Sequence, residues 1–169
     1  MRRSAAATGS AVFFALAPGT VAGLGPWLLT GWRLRLPFGS WLPVRLLGVL
    51  VLVAGTVFLV QAFVRFVVDG LGTPAPIAAP ERLVVTGIYR FVRNPMYLAV
   101  VAAILGQAAI LWQPVLLGYA AVMGAAMVAF VLGYEQPALR EQFGAEYEEY
   151  CRAVPGWWPR LRPWRAHSR

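Results

Sequence analysis

The chain has 169 residues, of which 59% are hydrophobic, and its mean hydropathy is +0.63. This composition is too apolar for one soluble core of ordinary size, so we expect lipid to cover much of the surface. The net charge of +8 could suit nucleic acid, but the arginines flank apolar segments and favour anionic lipid headgroups instead. With one cysteine, Cys151, and one histidine, His167 in a polar tail, no disulfide and no protein-bound metal are expected.

Four segments without charged side chains predict four transmembrane helices. Each has close to the roughly 17 to 25 residues that a spanning helix needs, and none alternates like a barrel strand. The segments are Ala11 to Trp32, Leu46 to Val64, Met96 to Trp112 and Val115 to Tyr134. We therefore predict an all-α polytopic membrane protein. The first segment resembles a secretory signal, but its apolar character continues past Ala17, which favours a retained span.

The distribution of basic residues predicts the orientation of these spans. All 15 are arginine, and only Arg33, Arg35 and Arg45 fall between the first and second spans. The others lie on the side shared by both termini and the loop from Asp69 to Pro95. Because loops rich in arginine stay in the cytoplasm, we expect both termini on the cytoplasmic side of the cell (inner) membrane.

One membrane domain, residues 1–169, is expected. Residues 1–68 would form two scaffold spans, and residues 69–163 a catalytic half with a cytoplasmic loop, a helical hairpin and a C-terminal helix. In that half, Asn94 can cap the third span while Pro95 fits its first position. Only Gln113 and Pro114 separate the third span from the fourth, which predicts a tight antiparallel hairpin.

Beyond the fourth span, aromatic and aliphatic residues recur at helical spacing. This pattern predicts one amphipathic helix on the cytoplasmic surface, with an apolar face made of Leu139, Phe143, Tyr147 and Tyr150. Three tryptophans interleaved with arginines then suit an interfacial anchor: Trp157, Trp158 and Trp164.

Two polar segments at the ends of the hairpin are candidates for chemistry. One runs from Thr86 to Tyr97, and the other is Glu135-Gln136; the hairpin would bring both to the cytoplasmic end. Their amides, arginine, aromatic rings and carboxylate suit a zwitterionic ligand with an aromatic base. The alternative is that Arg93 reaches lipid phosphates while the tyrosines belong to the interfacial belt.

The order of three motifs resembles a known family. They are LVVTGIYRFVRNPMY at 83–97, EQPALREQFGAEYEEY at 135–150 and VPGWWP at 154–159. Together they resemble the isoprenylcysteine carboxyl methyltransferase and phospholipid methyltransferase family over about half of the chain. The resemblance implies an integral membrane methyltransferase that uses S-adenosylmethionine. Its acceptor would be a lipid or another lipophilic, membrane-associated small molecule with an O-, N- or S-nucleophile.

The resemblance also implies a set of site residues. Arg93 and Glu135 would position the reactants, with Glu135 facing the methionine ammonium, and no general base is assigned. Gly106 and Gln107 match a small residue followed by a polar residue that faces the bundle interior in the family. The alternative is that these two residues serve only helix packing. The residues implied in cofactor binding are Leu83, Val84, Tyr89, Asn94, Pro95, Met96, Tyr97, Gly106, Gln107, Glu135 and Gln136.

Three positions depart from the family pattern. Asn94 stands where many relatives have histidine, and an amide cannot act as a base at neutral pH. Gln136 replaces the second acid of a frequent Glu-Glu pair, which lowers the negative charge. Val131 stands where the prenylcysteine branch has a substrate-binding arginine, which argues against a prenylcysteine carboxylate substrate.

Two other functions remain open at this point. One is a non-catalytic membrane scaffold or transport subunit, and the other is a nucleotide-dependent lipid reductase. Methyl transfer from a sulfonium needs alignment more than acid–base groups, which accords with the absence of a Ser-His-Asp set from the sequence. Neither the acceptor nor the oligomeric state can be derived from these residues.

Overall fold

The computed structural model describes residues 16–37, 41–70 and 82–165, and the regular structure in them is helical. The predicted all-α class is confirmed for these residues. A π-helical turn, Thr20–Leu24, leads into a short helix, and a 3-10 turn, Gly87–Arg90, precedes the hairpin. A second π-helical turn, Val131–Glu135, joins α4 to α5. The helices are α1 (Gly25–Thr30), α2 (Leu42–Gly70), α3 (Pro95–Leu111), α4 (Val115–Phe130), α5 (Gln136–Phe143) and α6 (Ala145–Ala153).

Two of the described helices are long and apolar enough to cross a membrane. They are Leu42–Phe66, within α2, and the continuous helix Val115–Phe143 that α4 and α5 form. Helix α3 is also apolar but has 17 residues. The beginning of the first predicted span, residues 11–15, and the tail with His167 lie outside the described residues. Four spans therefore stay a prediction, of which two are supported by length and composition.

Close contact between α2 and α3 depends on glycine. A Cβ atom on Gly106 would lie 2.8 Å from the carbonyl oxygen of Gly48, and one on Gly55 would lie 3.0 Å from that of Ala99. Larger side chains at these positions would push the helix backbones apart. The two helices consequently pack in direct backbone contact.

The predicted hairpin is present. Helix α3 ends at Leu111 and α4 begins at Val115, after Trp112 takes a left-handed conformation with φ 54°. The buried Gln113 side chain donates from Nε2 to the carbonyl oxygen of Arg33 at 2.8 Å, which ties the turn to the α1–α2 connection. Buried Ile104, Leu116 and other apolar residues pack between the two helices.

The first π-helical turn ties α1 to the hairpin. Pro26 follows it, and because proline has no N–H it cannot donate to a carbonyl of the preceding turn. Hairpin side chains bond to this turn instead: Tyr119 Oη donates to the carbonyl of Val21 at 2.9 Å, and Gln107 Nε2 to that of Ala22 at 2.7 Å.

The prediction of one amphipathic helix beyond Tyr134 is wrong. The helix continues without a break from α4 into α5, ends at Phe143, and is followed by a separate helix, α6. Gly144 separates them with φ 49° and ψ −121°, a conformation that L side chains rarely adopt. The four apolar residues of the pattern still pack into one cluster with Val154, because α6 folds back beside α5.

Residues 154–165, called here the C-terminal strap, follow α6 without regular structure. The strap pairs through its backbone with residues 86–94, called here the motif loop. Four N–H groups donate across this contact at 2.9–3.2 Å: Arg93 to Pro155, Asn94 to Gly156, Arg160 to Phe91, and Trp164 to Arg90. The strap thus fixes the position of the segment that leads into α3.

Candidate functional site

A cavity of about 440 Å³ lies where the motif loop, the start of α3 and the α4–α5 junction meet. Residues 17, 18 and 21 before α1 contribute to its wall, as does α2. The sequence prediction that the two polar segments come together is confirmed by this arrangement. The implied site residues that line the cavity are Leu83, Val84, Tyr89, Arg93, Asn94, Pro95, Met96, Tyr97 and Glu135.

The motif loop is held by the C-terminal end of α2. Gly87 has φ 55° and lies against Arg65, while the hydroxyl of Thr86 donates to the carboxylate of Asp69. Tyr89 is buried, and its backbone carbonyl accepts a hydrogen bond from Tyr150 Oη at 2.7 Å. Burial raises the pKa of the Tyr89 phenol, which keeps this side chain neutral.

Two residues just before α3, Arg93 and Asn94, line the cavity, and each carries an unpaired donor. Asn94 is the N-cap residue and Pro95 the first helical residue, as predicted, but the Asn94 side chain makes no capping hydrogen bond. Its Nδ2 atom and the Nε atom of Arg93 are buried and have no hydrogen-bond partner among the described residues. An unpaired buried donor costs about 1–3 kcal/mol, so this end of the cavity is suited to a ligand with acceptor groups.

The guanidinium of Arg93 lies against Cys151 and Tyr147. Its Nη1 atom lies 2.7 Å from Cys151 Sγ and 3.5 Å from Tyr147 Oη. Burial first, and then Cys151, raise the pKa of Tyr147 to about 12, so the phenol is uncharged at neutral pH. The ion pairs of the described residues are Arg65 with Asp69 and Arg140 with Glu148, which leaves Arg93 without a carboxylate partner there.

A carboxylate occupies the α4–α5 junction. Glu135 is the last residue of the second π-helical turn, two residues before Pro137, and it accepts a hydrogen bond from Tyr97 Oη at 2.7 Å. The Tyr97 ring lies 6.4 Å, between centroids, from that of Trp157 in the strap. The cavity therefore carries one cation, Arg93, and one anion, Glu135, among its described lining residues.

The remainder of the cavity is apolar. On α4 the lining residues Met123, Ala126, Met127 and Phe130 are spaced by three, one and three, so they share one face of the helix. This spacing is visible in the sequence but was not used to predict the site. This apolar arm is lined by Ala17, Pro18, Val21, Leu59, Val100, Met123, Ala126, Met127 and Phe130. Tyr147, Tyr150 and Gln142 are further lining residues that the sequence did not assign to the site.

Three implied cofactor residues do not line the cavity. Gly106 lies in the contact with α2 described above, and Gln107 bonds to Ala22 and to Trp32 Nε1, the latter at 3.2 Å. Gln136 is half-buried in the first turn of α5. Gly106 and Gln107 have contacts that accord with the packing alternative. Val131, the site of the third family departure, is buried and also outside the wall.

Comparison with known proteins identifies the family. A family model described as phospholipid methyltransferase matches residues 44–146, more than half of the chain. The chain belongs to the phospholipid methyltransferase family. The matched region includes Arg93, Tyr97 and Glu135, and it ends before the C-terminal strap. No curated protein matches the chain. Family membership and the two long apolar helices indicate a membrane methyltransferase.

Proposed function

We propose that this protein transfers a methyl group from S-adenosylmethionine to a lipid or another lipophilic small acceptor in the membrane. The observation that carries the proposal is a cavity lined by Glu135 and by Arg93 and Asn94, whose Nε and Nδ2 atoms are buried without partners. Family membership supplies the methyl-transfer chemistry. The cavity supplies charges and donors of the kind that an amino-acid moiety needs.

The polar residues fit the charges of S-adenosylmethionine. Its methionine part carries a carboxylate, which Arg93 and Asn94 would bind through their free N–H groups. Its ammonium would face Glu135, whose carboxylate Tyr97 already orients. Leu83, Val84, Tyr89, Pro95 and Met96 would supply apolar and aromatic contacts for the rest of the cofactor.

The bound cofactor supplies a methyl group already activated by positive sulfur. What these residues contribute is placement and exclusion of water, which can account for about 7–11 kcal/mol of a barrier. The Tyr97–Glu135 hydrogen bond fixes the carboxylate, and the strap covers Arg93 and Asn94. Arg93 and Glu135 are therefore assigned as positioning residues, and no general base is assigned.

The apolar arm would hold the hydrophobic part of the acceptor. Its residues come from α2, α3, α4 and the segment before α1, and they include two methionines, whose flexible side chains adapt to irregular chains. Residues 69–163 would form the catalytic half of one domain, with residues 1–68 as scaffold. We further propose four spans with both termini in the cytoplasm, so that the cofactor enters from the cytoplasm and the acceptor from the bilayer.

Calorimetric titration of the purified protein with S-adenosylmethionine tests the donor. Binding with one site per chain is expected, and absence of binding by folded protein would refute the proposal. Membranes with and without the protein, given S-adenosylmethionine with a labelled methyl group, would then identify the acceptor by the mass of the labelled product.

Substitution of Asn94 tests the unpaired donor directly. Asn94→Leu removes a buried Nδ2 donor with no partner, so the unliganded protein should be as stable as before or more stable, while cofactor affinity falls about tenfold. Gln113→Met is the matched control, because this buried amide has a partner. It should lower the melting temperature and leave cofactor affinity unchanged. The opposite pattern would exclude Asn94 from the site.

A further inference from the structure

The C-terminal strap turns its large side chains in two directions. Trp157 packs beside Tyr97, and Trp164 lies 5.7 Å, between ring centroids, from Tyr150. Trp158 and Leu161 face outward and are 81% and 99% exposed. The expectation that all three tryptophans form an interfacial anchor therefore needs correction, because two of them pack inward. The outward pair is a small apolar surface without a partner in the described chain.

Positive charge surrounds this apolar surface. From Arg152 to Arg165 the sequence contains four arginines and no acidic residue. The guanidinium of Arg160 donates to the carbonyl of Ala153 at 2.6 Å, whereas Arg162 and Arg165 are exposed. A tryptophan and a leucine next to free arginines are the residues that enter the headgroup layer of an anionic membrane.

We propose that Trp158, Leu161, Arg162 and Arg165 form a binding surface for anionic lipid headgroups, and that lipid bound there positions the motif loop. The occupant is lipid because the protein belongs to a membrane family and the strap follows helices that return the chain to the end of the apolar span. The surface lies outside residues 44–146, the region that the family model matches.

The coupling to the motif loop follows from the backbone contacts. Pro155 and Gly156 accept hydrogen bonds from the N–H groups of Arg93 and Asn94 at 3.0 and 3.2 Å. On the other side of the exposed pair, Arg90 Nε donates to the carbonyl of Trp164 at 2.6 Å. A strap fixed by lipid at its centre would thus hold residues 90–94, the end of the loop that carries the two unpaired donors. This part of the inference rests on the proposed function.

The first experiment measures lipid contact without any cofactor. Leu161→Cys, in a Cys151→Ala background, is labelled with an environment-sensitive fluorophore in the full-length protein. The protein is placed in nanodiscs of phosphatidylcholine alone or with phosphatidylglycerol, with nitroxide quenchers at headgroup depth. We expect quenching at position 161 that is at least about twofold stronger in the anionic discs, since each arginine near such a surface favours contact about fivefold.

Two variants sharpen this measurement. A label at the exposed Glu149→Cys on α6 should show little quenching in either disc, because its acidic neighbours avoid anionic lipid. Arg162→Gln with Arg165→Gln should remove the difference between the two discs at position 161. Equal quenching at positions 161 and 149, or a difference that survives the double substitution, would overturn the lipid surface.

The second experiment measures the coupling. S-adenosylmethionine should bind the wild-type protein about threefold or more tightly in anionic discs than in phosphatidylcholine discs, a difference on the scale of one basic contact with lipid. It should bind the double arginine variant equally in both discs. Equal wild-type affinity in both discs would overturn the coupling. If the label shows lipid contact but no cofactor binds in any disc, the proposed function fails while the lipid surface stands.

Discussion

Two π-helical turns in the described chain have the same local origin and different uses. Thr20–Leu24 and Val131–Glu135 each end two residues before a proline, Pro26 and Pro137. A proline inside a helix lacks a donor and its ring presses on the preceding turn, so a widened turn relieves both problems. The first turn offers carbonyl oxygens to Tyr119 and Gln107, and the second carries Glu135 into the cavity.

Local sequence causes both widened turns, whereas tertiary neighbours decide what each turn contacts. At the first turn, polar side chains from the hairpin bond to the backbone, which adds hydrogen bonds to the apolar contacts between these elements. At the second turn, the carboxylate meets Tyr97 from the facing helix. Widened turns of this kind are frequent at functional sites, but only one of these two lies at the polar end of the cavity.

Removal of the charge of Glu135, at the second turn, should change cofactor affinity more than any other substitution. Glu135→Gln removes a charge that would face the cofactor ammonium, and a charged hydrogen bond is worth about 1.5–3 kcal/mol. Affinity for S-adenosylmethionine should fall about tenfold to a hundredfold, measured by calorimetry, with unchanged membrane insertion. The exposed Glu141→Gln is the control and should bind as the wild type does. No change in either variant would favour a non-catalytic scaffold.

The two prolines provide a paired test of the turns themselves. Pro137→Ala restores an N–H donor and lets the turn tighten, which should rotate Glu135 and weaken cofactor binding by roughly tenfold, on the scale of one hydrogen bond. Pro26→Ala makes the same change at the first turn and should leave cofactor affinity unchanged. Equal losses of affinity in the two variants would mean that the turns do not have separate roles.

A smaller effect is expected from the hydrogen bond at the first turn. Tyr119→Phe deletes the donor to the Val21 carbonyl and should destabilise the protein by about 1 kcal/mol. That loss corresponds to a fall in Tm of roughly 2–4 °C for a chain of this size. Cofactor affinity should not change. Tyr134→Phe, at an exposed phenol, serves as the control, and a Tm equal to that of Tyr119→Phe would contradict the assignment.

The smallest effect is expected on the pH dependence of Tm, through Tyr147 at the polar end of the cavity. Tyr147 has a pKa of about 12 against an ordinary value of 10.0, so the folded protein holds this proton more tightly than the unfolded chain. The resulting stability is complete below pH 10 and is lost as the pH rises toward 12. Tyr147→Phe should therefore reduce the fall of Tm over this range by about 2 °C. An identical alkaline decline in the variant would exclude this contribution.

Much of the site could be predicted because its determinants are local. Asn94-Pro95 marks a helix start by capping preference alone, and the short turn at Gln113-Pro114 requires an antiparallel hairpin. Those two facts bring Glu135 beside the motif loop without any knowledge of packing. The family motifs then add which of the clustered residues are expected to face a ligand.

The features that were missed depend on tertiary contacts. A glycine in a spanning helix allows close approach to a ligand or to another helix, and only the position of Gly48 shows that Gly106 serves the second purpose. The amphipathic pattern after Tyr134 continues through Gly144, so periodicity alone could not reveal the break. Trp157 and Trp158 are neighbours in irregular structure, where no period exists to assign one inward and the other outward.

The pairing of the strap with the motif loop also bears on the order in which the protein is made. During synthesis the described helices leave the ribosome before residues 154–165, and they can insert into the membrane and pack at that stage. The motif loop acquires its backbone partners at Pro155, Gly156 and Trp164 only afterwards. A chain interrupted before the strap would thus lack these backbone partners, while its loop would keep the contacts with Asp69 and Tyr150.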